Sequence, residues 1–405
     1  LNFEPQQRLP YLCCMAAPLY LDFNATTPVD PAVLEAMLPW FSADFGNAGS
    51  RTHAWGWRAE QAVKQAREQL RSLLNASTGE IIFTSGATEA LNLAIKGLAA
   101  SWQHKKKHVL LWQTEHRAVI DPCLWLRKQG FEVDLLPVLA SGQPDFTAFQ
   151  AALRPDTLLV CGMLANNETG SIFPITQLAG MAHEVGAFFL CDATQAIGKM
   201  EVDVVALEVD LLVCSAHKFY GPKGTGALWM AKKAGLKPQA LLHGGGQEGG
   251  WRSGTLNVPG IVGMGAAAAL SEQLLTSEMA RQQRMQAGFE AHLLQHLPEI
   301  TIQGKDTDRL PNTSNIWFRH APAASLIKSL RNLALSTGSA CSSHKAEASH
   351  VLLALGLTEA EAACCLRISW GRPTSEAELM AAATRLIAAV EQVRASSPAW
   401  RYRTS

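Results

Sequence analysis

Between residues 80 and 230 the chain alternates short apolar stretches with helical patterns, and the apolar stretches end on polar residues. Glu80–Thr84 runs into Ser85-Gly86-Ala87-Thr88-Glu89, and His108–Trp112 into Gln113-Thr114-Glu115-His116. Leu158–Met163 leads to Asn166-Asn167-Glu168-Thr169-Gly170, Ala187–Cys191 to Asp192-Ala193-Thr194-Gln195, and Val209–Cys214 to Ser215-Ala216-His217-Lys218. Gly224–Met230 reads as a strand turning back. Short apolar runs bounded by turn residues are buried strands. Their alternation with helices builds a mostly parallel sheet flanked by helices. In such a sheet the carboxyl ends of the strands face the ligand crevice, so the polar ends share one edge.

Two of those ends suggest a chemistry. A lysine at a strand end, facing a cleft, is where a Schiff-base lysine sits, and Lys218 stands there before a Gly221-Pro222 break. Asp192 ends the neighbouring apolar run. Pyridoxal phosphate needs this pair: a lysine for the aldehyde and an aspartate to keep the pyridine nitrogen protonated. The small residues of Ser85–Glu89 precede the helix Ala90–Ala100 and leave backbone N–H groups for a phosphate; capping of that helix by Ser85 or Thr88 is the alternative. His116 could stack on a pyridine ring, and the Asn166-Asn167 amides either bond a ring hydroxyl or shape a turn.

The 405 residues imply two or three folding units sharing a large core. Lys+Arg and Asp+Glu both number 35, which removes a blanket electrostatic case for binding nucleic acid or a membrane. No uninterrupted apolar run approaches a membrane span. The nine cysteines show neither CxxC nor zinc spacing, so no metal site is expected. Reduced thiols and a cytoplasmic setting are expected instead. Residues 1–18 fit poorly with the rest of the chain, and Met15 is the expected natural start.

Outside the alternating region, Pro31–Phe41 and Trp57–Leu74 read as helices. Leu241–Asn257, with the run Gly244-Gly245-Gly246-Gln247-Glu248-Gly249-Gly250, reads as a flexible polar loop in which Thr255 could reach a phosphate. A helical pattern from Gly260 to about His296 bridges to shorter strands (Ser314–Phe318, Arg367–Trp370) and helices (Ser325–Leu330, Glu376–Ala395) of a smaller α+β unit. Within it Cys341 lies among small polar residues, with His344 and Lys345 nearby, unlike Cys161, Cys191 and Cys214 in apolar runs. That setting makes it a candidate thiolate.

Taken together, Asp22–Pro28, Ser85–Glu89, Thr114–His116, Asn166–Gly170, Asp192–Gln195, Ser215–Pro222, His243–Thr255, Ser339–Ser342 and Arg367–Arg372 resemble, in order, the motifs of the cysteine desulfurases. These are class-V aminotransferases within the fold-type-I pyridoxal-phosphate enzymes. The segment between Cys341 and Arg367 is similar to the subgroup serving housekeeping iron–sulfur assembly.

The resemblance implies a role for each matching residue. Lys218 would carry the cofactor as an internal aldimine, and Asp192 would pair with the pyridine nitrogen. Gln195 and Asn167 would contact the ring-hydroxyl side, and His116 would stack on the ring and shuttle protons. Ala87, Thr88, Ser215 and His217 would hold the phosphate, with Thr255 reaching it from a partner subunit, which implies a homodimer. Arg367 would clamp the carboxylate of L-cysteine, and Cys341 would be the nucleophile that takes up sulfur as a persulfide, leaving L-alanine, for transfer to an acceptor protein.

The implied architecture is a large cofactor-binding unit (30–265) and a small one (19–29 with 266–396), between a tail at 1–18 and a short one at 397–405. Only five residues come after Ser397-Pro398-Ala399-Trp400, where iron–sulfur relatives continue further. Sulfur modification of tRNA or DNA therefore stands beside iron–sulfur assembly as a destination. A selenocysteine lyase shares nearly every motif, and an inactive scaffold relative is the alternative from another class.

Overall fold

The computed structural model describes residues 18–337, 348–397 and 400. Its strands are β1 (Leu19–Tyr20), β2 (Glu80–Thr84), β3 (His108–Trp112), β4 (Glu132–Leu136), β5 (Thr157–Met163), β6 (Phe188–Asp192), β7 (Leu211–Ser215), β8 (Gly226–Met230), β9 (Ile300–Ile302), β10 (Thr313–Phe318), β11 (Leu333–Ala334) and β12 (Cys365–Ser369). Seven of them form one sheet in the order β2-β8-β7-β6-β5-β3-β4. The run from β4 to β7 is parallel, and β8 is antiparallel to both its neighbours, as the returning strand requires.

The unbroken apolarity of these strands follows from burial on both faces. Leu110, Trp112, Phe189, Cys191, Leu212 and Cys214 enter one core, and Val109, Leu111, Phe188, Leu190, Leu211 and Val213 enter the other. Successive side chains point to opposite faces, so both faces are covered and neither tolerates a charge.

The sequence reading assigns no element to two segments and gives a third the wrong extent. β4 extends the sheet beyond β3, where Glu-Val-Asp-Leu-Leu alternates and resembles a half-exposed edge. The helix Arg117–Arg127 persists through Pro122. The expected helix Pro31–Phe41 is two pieces, Pro31–Met37 and Pro39–Ser42, because Pro39 cannot donate the N–H that would continue the first.

A three-stranded antiparallel sheet, β12-β10-β9, and the parallel pair β1–β11 lie over a separate core that includes Leu21, Phe289, Ile316, Phe318, Leu366 and Trp370. The helix Val258–His296 joins the cores: Ile261, Met264 and Ala267 pack in the first, Met285, Phe289 and Leu293 in the third. By length and composition this helix could cross a membrane, yet half of its most apolar window is buried inside the protein, as in a core helix. Its glycines allow close packing on the helix Ala54–Leu73. A Cβ at Gly265 would lie 2.5 Å from Ala66 Cα.

Candidate active site

The polar ends of β2, β3, β5, β6 and β7 border one cavity of about 570 Å³, which Arg367 of β12 enters from the other sheet. β7 ends at Ser215, and the chain turns through Ala216–Lys218 as a short 3-10 turn. Lys218 Nζ donates to the carbonyls of Asn24 (2.5 Å) and Ala25 (2.8 Å). Tyr220 then adopts φ 69°, a costly value for a bulky residue. Its N–H donates to Thr27 Oγ1 (2.9 Å) and its carbonyl accepts from Asp30 N (3.0 Å), which holds the turn. Asp192, 7% exposed at the end of β6, accepts from Thr194 N at 3.0 Å.

His116 caps the helix Arg117–Arg127, its Nδ1 accepting from Ala118 N at 3.1 Å. Burial holds its pKa below the usual imidazole value, Asp192 pulls it back and Lys218 lowers it further. With Nδ1 an acceptor, the neutral ring carries its proton on Nε2. His217 is pushed down to about 4, first by burial and then by the positive charges of Lys218 and Lys223. Beneath His116, Glu115 is fully buried and accepts from Met163 N at 2.9 Å; burial raises its carboxyl well above the usual range.

The helix Ala87–Trp102 begins after Gly86, and no side chain caps it; the alternative of capping by Ser85 or Thr88 is not realised. Gly86 has φ 152°, and a Cβ at Gly226 would fall 2.6 Å from Gly86 Cα. The backbone at this helix start is thus brought to the cavity with Ala87, Thr88, Ser215 and His217 around it.

Asn167 and Arg367 meet directly, Arg367 Nη1 donating to the Asn167 carbonyl at 3.0 Å. Gln195 Nε2 donates to the Asn24 carbonyl at 2.9 Å. Ten of the residues expected at the site therefore line one cavity: Ala87, Thr88, His116, Asn167, Asp192, Gln195, Ser215, His217, Lys218 and Arg367. Thr255 is exposed and lies outside that lining. Its loop is tied down more than its glycines suggest. Glu248 accepts from Arg67 Nη1 and Nη2 (3.0 and 2.7 Å) and from Phe83 N (2.8 Å), while Arg252 Nε donates to Glu89 at 2.8 Å. Cys341, with His344 and Lys345, lies outside the described residues.

The aminotransferase class-V model matches residues 19–381. A cysteine desulfurase IscS from Anaeromyxobacter dehalogenans is 46% identical over 384 residues, 95% of each chain. A solved NifS-like protein superposes with a TM-score of 0.85 at 32% identity, covering 92% of this chain and 99% of that one. A structure described as SspA in complex with cysteine gives 0.77 at 38% identity, covering 87% and 98%. The chain belongs to the cysteine desulfurase group of the class-V aminotransferase family.

Enzymes of this family use pyridoxal phosphate, and the cavity of this cysteine desulfurase relative fits that group. It offers an amine, a buried carboxylate and an uncapped helix start whose Gly86 backbone packs so closely on Gly226 that a Cβ there would strike it. Sequence reasoning assigned no role to Asn24, Asp22 or Lys199. Asn24 is 1% exposed, and its carbonyl accepts from both Lys218 and Gln195. Its place within Asp22–Pro28 was a signal; Lys199 offered a fainter one, a lysine ending the small, apolar Ala196-Ile197-Gly198.

Proposed function

We propose that the chain is a pyridoxal-phosphate-dependent cysteine desulfurase that converts L-cysteine to L-alanine and passes the sulfur, as a persulfide on Cys341, to an acceptor protein. The observation that carries this reading is the convergence of Lys218, Asp192, His116 and Arg367 on one cavity. Pyridoxal phosphate supplies an aldehyde and an electron sink. Lys218 would bind it and afterwards hold the proton taken from the substrate's Cα. Asp192 would face the pyridine nitrogen. Gln195 and Asn167 would hold the ring-oxygen side, and the Ala87-Thr88 backbone with Ser215 and His217 would hold the phosphate.

His116 would cover the ring and move a proton at Nε2. Arg367 would orient the substrate carboxylate with its planar fork. Cys341 as thiolate would take the sulfur: the substrate's carbon–sulfur bond breaks, a sulfur–sulfur bond forms, and the carbon gains the proton that completes alanine. Atoms and electrons balance with no added oxidant.

A homodimer with Thr255 on the partner's phosphate is part of the same proposal. It is supported by an exposed apolar group, Leu34, Leu38, Phe41, Phe45, Trp55 and Trp57, within a short stretch of chain. The division into large and small units is supported by their separate cores. A cytoplasmic setting is supported by the free thiols of all the described cysteines. Iron–sulfur assembly or sulfur modification of nucleic acid is the destination. The test is purification with the cofactor, then labelled L-cysteine. Alanine and a labelled persulfide on Cys341 support the reading, and alanine-free incubation mixtures defeat it.

A further inference from the structure

Lys199 is 8% exposed, although lysine is rarely buried without a reason. Its Nζ donates to Gln195 Oε1 at 2.7 Å and to Asn24 Oδ1 at 3.2 Å. On the far side of the same amide, Gln195 Nε2 donates to the Asn24 carbonyl, which also accepts from Lys218 Nζ. Asn24 is held in turn, its Nδ2 donating to Thr313 Oγ1 at 2.9 Å and to the Asn167 carbonyl at 3.2 Å. A carbonyl can only accept, so the Gln195 nitrogen must face Asn24 and its oxygen must face Lys199. Among the described residues Nε2 makes that one bond, which leaves its second hydrogen for the cavity that Gln195 lines.

We propose that Lys199 is a positioning residue for the cofactor pocket: held behind the cavity, it fixes the Gln195 amide so that an N–H is presented to the ring-oxygen side of pyridoxal phosphate. This rests on the cofactor reading given above. Lys199 itself does not line the main cavity, so it acts through Gln195 and Asn24. Burial together with the charges of Lys218 and Arg367 favours its neutral amine, and Glu278 and Arg372 share with it the lining of a second, small cavity. A neutral amine has two hydrogens, and two acceptors are present for them. Without Lys199, Gln195 Oε1 becomes a buried acceptor with no donor. The amide then rotates to find one and carries its spare N–H away from the cavity.

The experiment is a pH titration of the visible absorbance of the cofactor-loaded protein. That absorbance reports the proton shared between the Lys218 nitrogen and the ring oxygen. An N–H on the ring oxygen disperses its charge and weakens its hold on that proton, so losing the N–H raises the midpoint. Lys199→Met is expected to raise it by roughly half to one pH unit, the size of one hydrogen bond. Gln195→Leu should raise it equally, and the double variant should add nothing. An unmoved midpoint in Lys199→Met, or shifts that add in the double variant, overturns the proposal. Should Lys199→Met not fold, Lys199→Ala removes the donor with less bulk. A midpoint raised to that of Gln195→Leu then supports the proposal, and one at the parental value overturns it. If the parental protein gains no visible absorbance with pyridoxal phosphate, it is the cofactor reading that fails, and it fails before any variant is compared.

Discussion

Asp22 Oδ1 accepts from Arg367 Nη2 at 2.6 Å, so the arginine proposed to hold the substrate already faces a carboxylate. Arg367 is 3% exposed, and Nη1 is engaged by the Asn167 carbonyl. A guanidinium has five N–H groups, so the substrate carboxylate can share the fork with Asp22. It then binds beside a like charge. Asp22→Asn keeps an oxygen for Arg367 and removes that repulsion. The KM for cysteine is expected to fall about two- to tenfold with kcat little changed, the scale of one partly screened charge pair. A KM that rises would show that the Asp22 charge is needed to orient Arg367.

Lys218→Ala should abolish the visible absorbance of the loaded protein and all turnover. The reason is positional: of the two described lysines that line the cavity, Lys223 is exposed and Lys218 is half-buried just after β7, while Lys199 is bonded behind the cavity. Spectra recorded after dialysis against the cofactor check this. A parental spectrum in the variant would transfer the covalent role to another amine.

The pH dependence of stability follows from His217. Its folded-state pKa is about 4, below the ordinary 6.5. Above pH 6.5 neither the folded nor the unfolded state binds the proton, and the stability is fully present. As pH falls from about 6.5 through 4, the unfolded state binds the proton first and stability is lost. Urea midpoints of the cofactor-free protein should therefore drop across that window, and less so in His217→Gln. Parallel curves for the two proteins would exclude His217 as the source.

Much of the site is legible in the sequence. The strand-end positions of Asp192 and Lys218 come from apolar runs with both faces buried, a pattern that leaves few other readings. β4 was not legible, because a short edge strand alternates like a surface segment. Lys199 and Asn24 escaped for another reason: their importance lies in hydrogen bonds between residues far apart in the chain, and no periodicity encodes those. The Gly-rich loop read as free because glycine suggests entropy, whereas Glu248 and Arg252 restrain it through Arg67 and Glu89.

Gly265 offers a test of packing. Replacement by Ala would put a methyl group 2.5 Å from Ala66 Cα, against backbone that cannot rotate away. The helices Val258–His296 and Ala54–Leu73 would have to separate. Gly265→Ala is expected to destabilise the protein by about 1–3 kcal/mol, despite the higher helix propensity of alanine. A raised melting temperature would mean that the helices separate at little cost.

The described residues on either side of Cys341 are tied to the site. Upstream, Arg367 N donates to the Ser336 carbonyl at 2.8 Å. Downstream, Ser349 Oγ donates to the buried Glu168 at 2.5 Å, and His350 Nε2 donates to the Glu115 carbonyl at 3.0 Å. The chain thus leaves from the arginine proposed to bind substrate and returns beside His116. Cys341→Ser replaces a thiolate by a hydroxyl that stays protonated and is a far weaker nucleophile. The variant should bind pyridoxal phosphate with the parental spectrum and still change that spectrum on adding cysteine. Sulfide release should fall by more than about a hundredfold, as when the nucleophile of a concerted site is removed. No labelled persulfide should remain on the protein. Mass spectrometry after incubation with labelled cysteine reads the last point directly. Parental desulfuration by Cys341→Ser would place the nucleophile elsewhere in the chain.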